Sequence, residues 1–307
     1  MKKIIYSLLI FMISSNIIFA QDKTEEKEKE DKTKKEKTFE EVTKQSKLIE
    51  GLFDIYQDSI SGKIQMLIKE EQLSKDFIYG SQIADGIVQA GGFRGLYNDE
   101  KIINFKKFFD KIEISFINTN FYFDKNNPLY KSREANISNA IISSSKIDFH
   151  DKENGTYLIN ANDLFLSESL TRVKPPSRPN QSRTAFSLGS LDKAKSKIMD
   201  IRNYPENLNI KTDYVYNNPN ILSSGSNSIS DSRYVSMKAF HTLIEMPDED
   251  YEIRLDDQRV GYFLTQVDNL TDSGTTNYRD LVNRWKLIKK DPSLDISEPI
   301  KPITWWI

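Results

Sequence analysis

Apolar and aromatic residues in this chain come in short runs bounded by Gly, Asn, Asp, Ser or Pro. Three of them are Leu52-Phe53-Asp54-Ile55-Tyr56, Lys63-Ile64-Gln65-Met66-Leu67-Ile68-Lys69 and Phe77-Ile78-Tyr79-Gly80-Ser81-Gln82-Ile83, with Ser61-Gly62 between the first two. That texture predicts strands in an antiparallel meander. Residues 102–109 and 111–123 form two more runs, broken near Asp110. In the second, Ile112, Ile114, Phe116 and Asn118 fall on one face, with Glu113, Ser115 and Ile117 on the other. This is the period-two alternation of a half-buried strand. Strand character returns at 141–149 and 156–159, around a turn at Glu153-Asn154-Gly155, and again at 198–203, 208–216, 234–245, 260–267 and 284–289. Helical character is confined to a start at Pro128-Leu129-Tyr130, where proline suits the first turn, to 162–170, and to a turn at 190–194. Residues 174–179 hold Pro175, Pro176 and Pro179 and read as an exposed loop. Residues 217–231, rich in Ser, Asn and Gly, read as a mobile one. The expected fold class is α+β and β-rich, with antiparallel twisted sheets or meanders and a few short helices.

The N-terminal end has a different character. Lys2 and Lys3 precede an apolar stretch over 4–13, and a small residue, Ala20, closes the segment. A basic start, a short apolar middle and a small end predict a signal peptide over 1–20. The apolar run is shorter than the roughly 20 residues a membrane helix needs, so no transmembrane span is expected after cleavage. The chain has no cysteine, which also removes the residue a lipid anchor requires. Residues 21–47 are dominated by Lys, Glu, Asp and Thr and are expected to be a charged, disordered linker. Beyond it the expected organisation is a small N-terminal β-hairpin domain over 48–90 and a larger β-rich domain over 91–307. Export without disulfides suits an envelope protein whose core is large enough to do without them.

The residue inventory restricts the chemistry. Without cysteine there are no thiolate metal sites, iron–sulfur clusters or cysteine nucleophiles. Only His150 and His241 are present, and neither forms a His-Glu-x-x-His pair. His241 and Glu245 are four apart, but along a strand that spacing separates them by roughly 13 Å. Phe186-Ser187-Leu188-Gly189 does not match a Gly-x-Ser-x-Gly nucleophile turn. Ala90-Gly91-Gly92-Phe93-Arg94-Gly95 lacks the Lys-Ser/Thr ending of a phosphate loop and reads as a turn. No catalytic residue, metal ligand or cofactor-binding residue is therefore assigned. A formal net charge of −2 gives no general attraction to nucleic acid, so none is expected as a partner. The densest charged cluster runs through Arg254, Asp256, Asp257, Arg259, Gly261, Tyr262 and Phe263. It reads as a structural element or interface in which Asp–Arg pairs hold the local backbone. Trp285 near the C-terminal end joins it as a candidate interface residue, and Trp305 and Trp306 follow.

Several segments, in order, carry a resemblance. They are Glu50-Gly51-Leu52-Phe53, Leu73-Ser74-Lys75-Asp76-Phe77, Asn127-Pro128-Leu129, Ala161-Asn162-Asp163-Leu164-Phe165-Leu166, Leu191-Asp192-Lys193-Ala194-Lys195-Ser196, Met246-Pro247, the block Arg254-Leu255-Asp256-Asp257-Gln258-Arg259-Val260-Gly261-Tyr262-Phe263, Arg284-Trp285 and Lys301-Pro302-Ile303. Together they resemble the N-terminal, non-catalytic region of secreted zinc-dependent metalloproteases of Bacteroidetes-type bacteria, from about Phe39 to Ile307. The resemblance implies a periplasmic, extracellular or outer-envelope protein of a Gram-negative bacterium. It also implies a scaffold or accessory role toward a catalytic domain encoded downstream, with zinc held there and not in this chain. On that reading the chain stops before the catalytic domain, with 303–307 as the strand leading into it. Two further readings stay open: a stand-alone envelope module binding peptide or glycan, and a truncated remnant without function.

Overall fold

The computed structural model describes residues 38–305 except 177–179, 181, 183, 248–251 and 272–277. The expected signal peptide, most of the expected linker, Pro179 and Trp306 lie outside the described residues. The chain divides into one unit ending at Lys44 and a second from Gln45 onward. In the first, helix α1 (Phe39–Thr43) starts at Thr38, whose hydroxyl accepts from the Glu41 N–H while the Glu41 side chain returns to the Thr38 N–H. This reciprocal cap satisfies two donors that a helix start leaves open.

The second unit is built on one curled antiparallel sheet of twelve strands. Its members are β1 (Ser46–Ile49), β2 (Asp54–Asp58), β3 (Ile64–Lys69), β4 (Asp76–Asp85), β5 (Tyr97–Phe108), β6 (Lys111–Phe116), β8 (Ala140–Asp151), β9 (Thr156–Asn160), β10 (Ser190–Leu191), β11 (Lys197–Asn203), β12 (Asn207–Asn217) and β13 (Tyr234–Glu245). The order across it is β1-β2-β3-β9-β8-β6-β5-β4-β13-β12-β10, with β11 also paired to β12. The strands at 54–58, 64–69 and 76–85 do not form the expected consecutive meander. β3 pairs with β9, whereas β4 pairs with β5 and β13. A 3-10 turn at Glu70–Gln72 separates β3 from β4, and buried Gln72 ties it down by donating from Nε2 to the Leu52 carbonyl at 2.6 Å. The ladders consequently join residues on both sides of position 90 into one sheet. β1 begins at Ser46, inside the stretch expected as linker, because its backbone pairs with β2.

Local chemistry sets the turns. Asp58 caps the β2–β3 turn, accepting from the Ile60 and Ser61 N–H groups, and Gly62 takes a φ of +70°. The β8–β9 turn repeats the device with Asp151, Glu153, Asn154 and Gly155 at φ +61°. Asn127 caps the short 3-10 helix Pro128–Ser132, as the proline predicts. Register shifts at Ser81/Gln82, Ile114/Ser115, Ile147/Phe149 and Lys238/Ala239 are bulges of the kind that bend a sheet.

Alternation places the core on one face of the sheet. Phe53, Phe77 and Phe105 meet with ring centroids 5.0–5.8 Å apart and lead one cluster, capped by helix α2 (Asn162–Phe165) through Leu164 and Phe165. Tyr214, Tyr216, Met237 and Ile83 lead a second cluster. Gly51 is required by close approach. A Cβ there would lie 2.2 Å from the Asn203 side chain, which donates to the Ile49 and Phe53 carbonyls.

A separate three-stranded sheet combines β7 (Phe121–Tyr122), β14 (Leu264–Asn269) and β15 (Tyr278–Val282), with β7 parallel to β14. Three expectations are corrected here. The strand expected at 260–267 starts only at Leu264, because Val260 closes a turn with Asp257. The strand expected at 284–289 is absent. The strand lies at Tyr278–Val282, and Lys289 only bridges Pro299 in a return of the chain. Residues 303–305 carry no strand either.

Candidate functional site

The two histidines are placed apart from any site. His150 on β8 stacks on Tyr157 at 4.4 Å. His241 on β13 is 1% exposed and belongs to a buried network. The Tyr214 hydroxyl donates to the Phe165 carbonyl at 2.6 Å, so toward His241 it can only accept. His241 Nε2 must therefore carry the proton and donate to Tyr214 at 2.9 Å, and Nδ1 accepts from the Tyr79 hydroxyl at 2.9 Å. Thr212 lies 3.2 Å from Nε2. Burial pushes the imidazole pKa down to about 3, so His241 is a neutral structural group. Among the described residues no group of three or more His, Asp or Glu side chains is arranged to hold a metal ion.

The charged block singled out from the sequence lies beside the small sheet. The Asp256 N–H donates to the Asp280 carbonyl, the Val282 N–H donates to the Arg254 carbonyl, and Leu255 bridges Leu281, so 254–256 extends that sheet past β15. Asp257 then turns the chain, accepting from the Arg259 N–H at 3.0 Å and from the Arg259 guanidinium at 2.9 and 2.5 Å. The guanidinium and the backbone bond hold the Asp257 pKa down to about 2. Arg254 lies 5.5 Å over the Tyr262 ring. Gly261 is not demanded by sterics, since a Cβ there would meet nothing within 4 Å. The Asp257–Arg259 pair closes the turn on itself, and backbone bonds tie 254–256 to β15.

Apolar side chains of the block and of the chain that follows it are exposed. Phe263 is 88% exposed, Trp285 64% and Ile296 89%. Half of the exposed large hydrophobic side chains among the described residues lie in 252–305. Over the same stretch Val267 and Val282 are the buried hydrophobic residues among those described, a small core for that length of chain. The backbone is nonetheless held. The Asn283 N–H donates to the Phe263 carbonyl, Arg284 Nη2 donates to the Glu252 carbonyl at 2.6 Å, and Ile300 N–H donates to the Ile288 carbonyl. Trp285 and Trp305 meet edge to face at 6.4 Å.

A hollow of about 350 Å³ opens on the small sheet, lined by Tyr122, Asp124, Leu255, Asn269, Thr271 and Leu281, among others. It escapes sequence reading because β7 is only two residues long and joins β14 from more than 140 positions away. Asp124 N–H donates to Thr271 Oγ1, and Asn127 Nδ2 donates to the Thr271 carbonyl, so the segment after β7 is fastened to the end of β14.

No curated protein matches the chain, and no solved structure does. A family model described as a domain of unknown function (DUF5117) matches residues 95–290, more than half of the length, and the chain belongs to that family.

Proposed function

We propose that this chain is a non-catalytic accessory region that docks onto a folded catalytic domain through exposed apolar side chains around Phe263, Trp285, Ile296 and Trp305. The observation that carries the reading is the concentration of exposed Phe263, Trp285, Ile296 and Trp305 on a backbone already hydrogen-bonded in place. The order of the segments that resemble secreted zinc metalloproteases makes a zinc peptidase domain the partner. Zinc and the catalytic glutamate would then belong to that partner. The basic and apolar opening over 1–20 supports export, and the resemblance supports the periplasm or exterior of a Gram-negative cell as its destination.

The test mixes the purified chain with a His-Glu-x-x-His polypeptide encoded in the same genome and measures complex formation by analytical ultracentrifugation. The expected result is a saturable one-to-one complex that is lost in a Phe263→Ser/Trp285→Ser/Ile296→Ser variant. A complex indifferent to these substitutions would overturn the docking surface. Stoichiometric zinc binding with peptide hydrolysis by the chain alone would overturn the non-catalytic role.

A further inference from the structure

The face of the main sheet opposite Phe77, Ile103 and Phe105 carries a second feature. The chain between β6 and β8 leaves the sheet, forms β7 and the 3-10 helix, and returns over the outer face of β4 and β5. It roofs a cleft of about 560 Å³, within the range of roughly 300–1,000 Å³ of small-ligand sites. The floor is polar. Asp76 and Asn104 are register partners on neighbouring strands, and Asn104 Nδ2 donates to Asp76 Oδ1 at 3.3 Å.

Asn104 is only 5% exposed, yet its Oδ1 has no hydrogen-bond partner among the described residues. Turning the amide over would set its oxygen against the Asp76 carboxylate, so the neighbour fixes this orientation. That oxygen has almost no accessible surface, so it takes no partner from the cleft. Asp76 beside it is exposed and is the acceptor that the floor presents to a ligand.

The opposite wall offers the complementary groups. Asn139 Oδ1 accepts from the Asn118 N–H, and Asn118 Oδ1 accepts from the Asn120 N–H, which leaves the amide NH2 ends as donors. Phe121, Phe123 and Tyr130 supply flat apolar surface, and Arg133 stacks 4.7 Å over the Tyr130 ring. The charged residues of the lining balance, with Asp76 and Glu134 against Lys106 and Arg133. An anion would meet two carboxylates and a cation two basic groups. A neutral ligand that donates and accepts through many hydroxyls, and that has C–H faces to lay on aromatic rings, satisfies every part of the lining.

We infer that the cleft between β4, β5 and the 117–139 excursion binds a neutral saccharide, with the buried Asn104 amide and Asp76 as its floor. The experiment titrates the purified chain with soluble tetrasaccharides of β-1,4-glucose, α-1,4-glucose, β-1,4-mannose and β-1,4-N-acetylglucosamine, read by saturation-transfer NMR and calorimetry. Saturable binding of at least one is expected, weakened at least about tenfold by Tyr130→Ala and by Asp76→Ala. Tyr130 is only half-buried, so the unfolding midpoint of Tyr130→Ala should stay near that of the parent; Asp76→Ala also removes the acceptor of buried Asn104, so its binding is read beside its own unfolding midpoint to separate lost binding from lost folding. Silence of all four sugars, or binding unchanged in both variants, overturns the inference. Tri-lysine or inorganic phosphate binding in the cleft while the sugars stay silent overturns it too.

Discussion

Replacing His241 with glutamine should flatten the acid side of this protein's stability profile. Glutamine does not titrate and keeps an acceptor and a donor for Tyr79 and Tyr214. In the folded chain His241 is fully buried, and its pKa is pushed from 6.5 to about 3. The unfolded chain therefore binds a proton at this position that the folded chain refuses between those values. The sign follows: the contribution is complete above about pH 6.5 and is lost progressively as pH falls toward 3. At pH 4.5, two units below the unfolded value, the loss is about 3 kcal/mol relative to pH 7, at about 1.4 kcal/mol per unit. Carboxylates held low, such as Asp231 and Asp257, weaken the fold in acid with the same sign. They are common to parent and variant and cancel in the comparison. Urea titrations of both proteins at pH 7 and pH 4.5 give the difference. The variant should be the less stable at pH 7, through poorer hydrogen-bond geometry, and should lose about 3 kcal/mol less on acidification. Equal losses in the two proteins would refute the buried-neutral assignment, as would an NMR titration placing His241 near pH 6.5. That second measurement stands even if the variant folds poorly.

Tyr79→Phe removes the donor to His241 Nδ1 and should cost about 1–3 kcal/mol in urea unfolding at pH 7; a neutral result would mean another donor reaches that nitrogen. Phe105→Ala empties the centre of the Phe53–Phe77–Phe105 cluster and should cost about 3–5 kcal/mol in the same assay. Gly189→Ala would put a Cβ 1.9 Å from the Asn217 carbonyl oxygen, so backbone must move, and a loss of about 1–3 kcal/mol is expected in thermal unfolding. Phe263→Ser with Trp285→Ser should leave the unfolding midpoint nearly unchanged while reducing binding of a hydrophobic dye, since both side chains are exposed.

Strands were readable wherever one face is buried and the other is not. β12 and β13 alternate almost throughout, and 208–216 and 234–245 mark them within a residue or two. Turns were readable where a residue type is physically required, as at Asp151 to Gly155 and at Pro128. The reading failed where order comes from a distant partner. Ser46 and Lys47 read as tether because they are polar and charged, and only the ladder of β1 to β2 orders them. At 284–289 the apolar texture suggested a strand, but these side chains sit in water and the backbone turns back on itself instead. Of the candidate interface, the interleaved Asp and Arg residues suggested pairing without fixing which, and the turn at Asp257–Val260 selects Asp257 with Arg259. The roofed cleft at Asn104 was not, because its walls come from β4, β5 and residues 117–139, and one buried amide carries no periodicity of its own.

Residue order by itself determined the class of this protein. Period-two alternation leaves few structures other than antiparallel strands, and absent cysteine excludes every site built on a thiol. Tertiary structure decided which strands became neighbours, since β3 could have met β4 but meets β9. It also decided the fate of the two histidines. Sequence shows His241 only as one position in an alternating run. The curl of the sheet takes it out of water between Tyr79 and Tyr214, where loss of hydration makes the charged form too costly to keep.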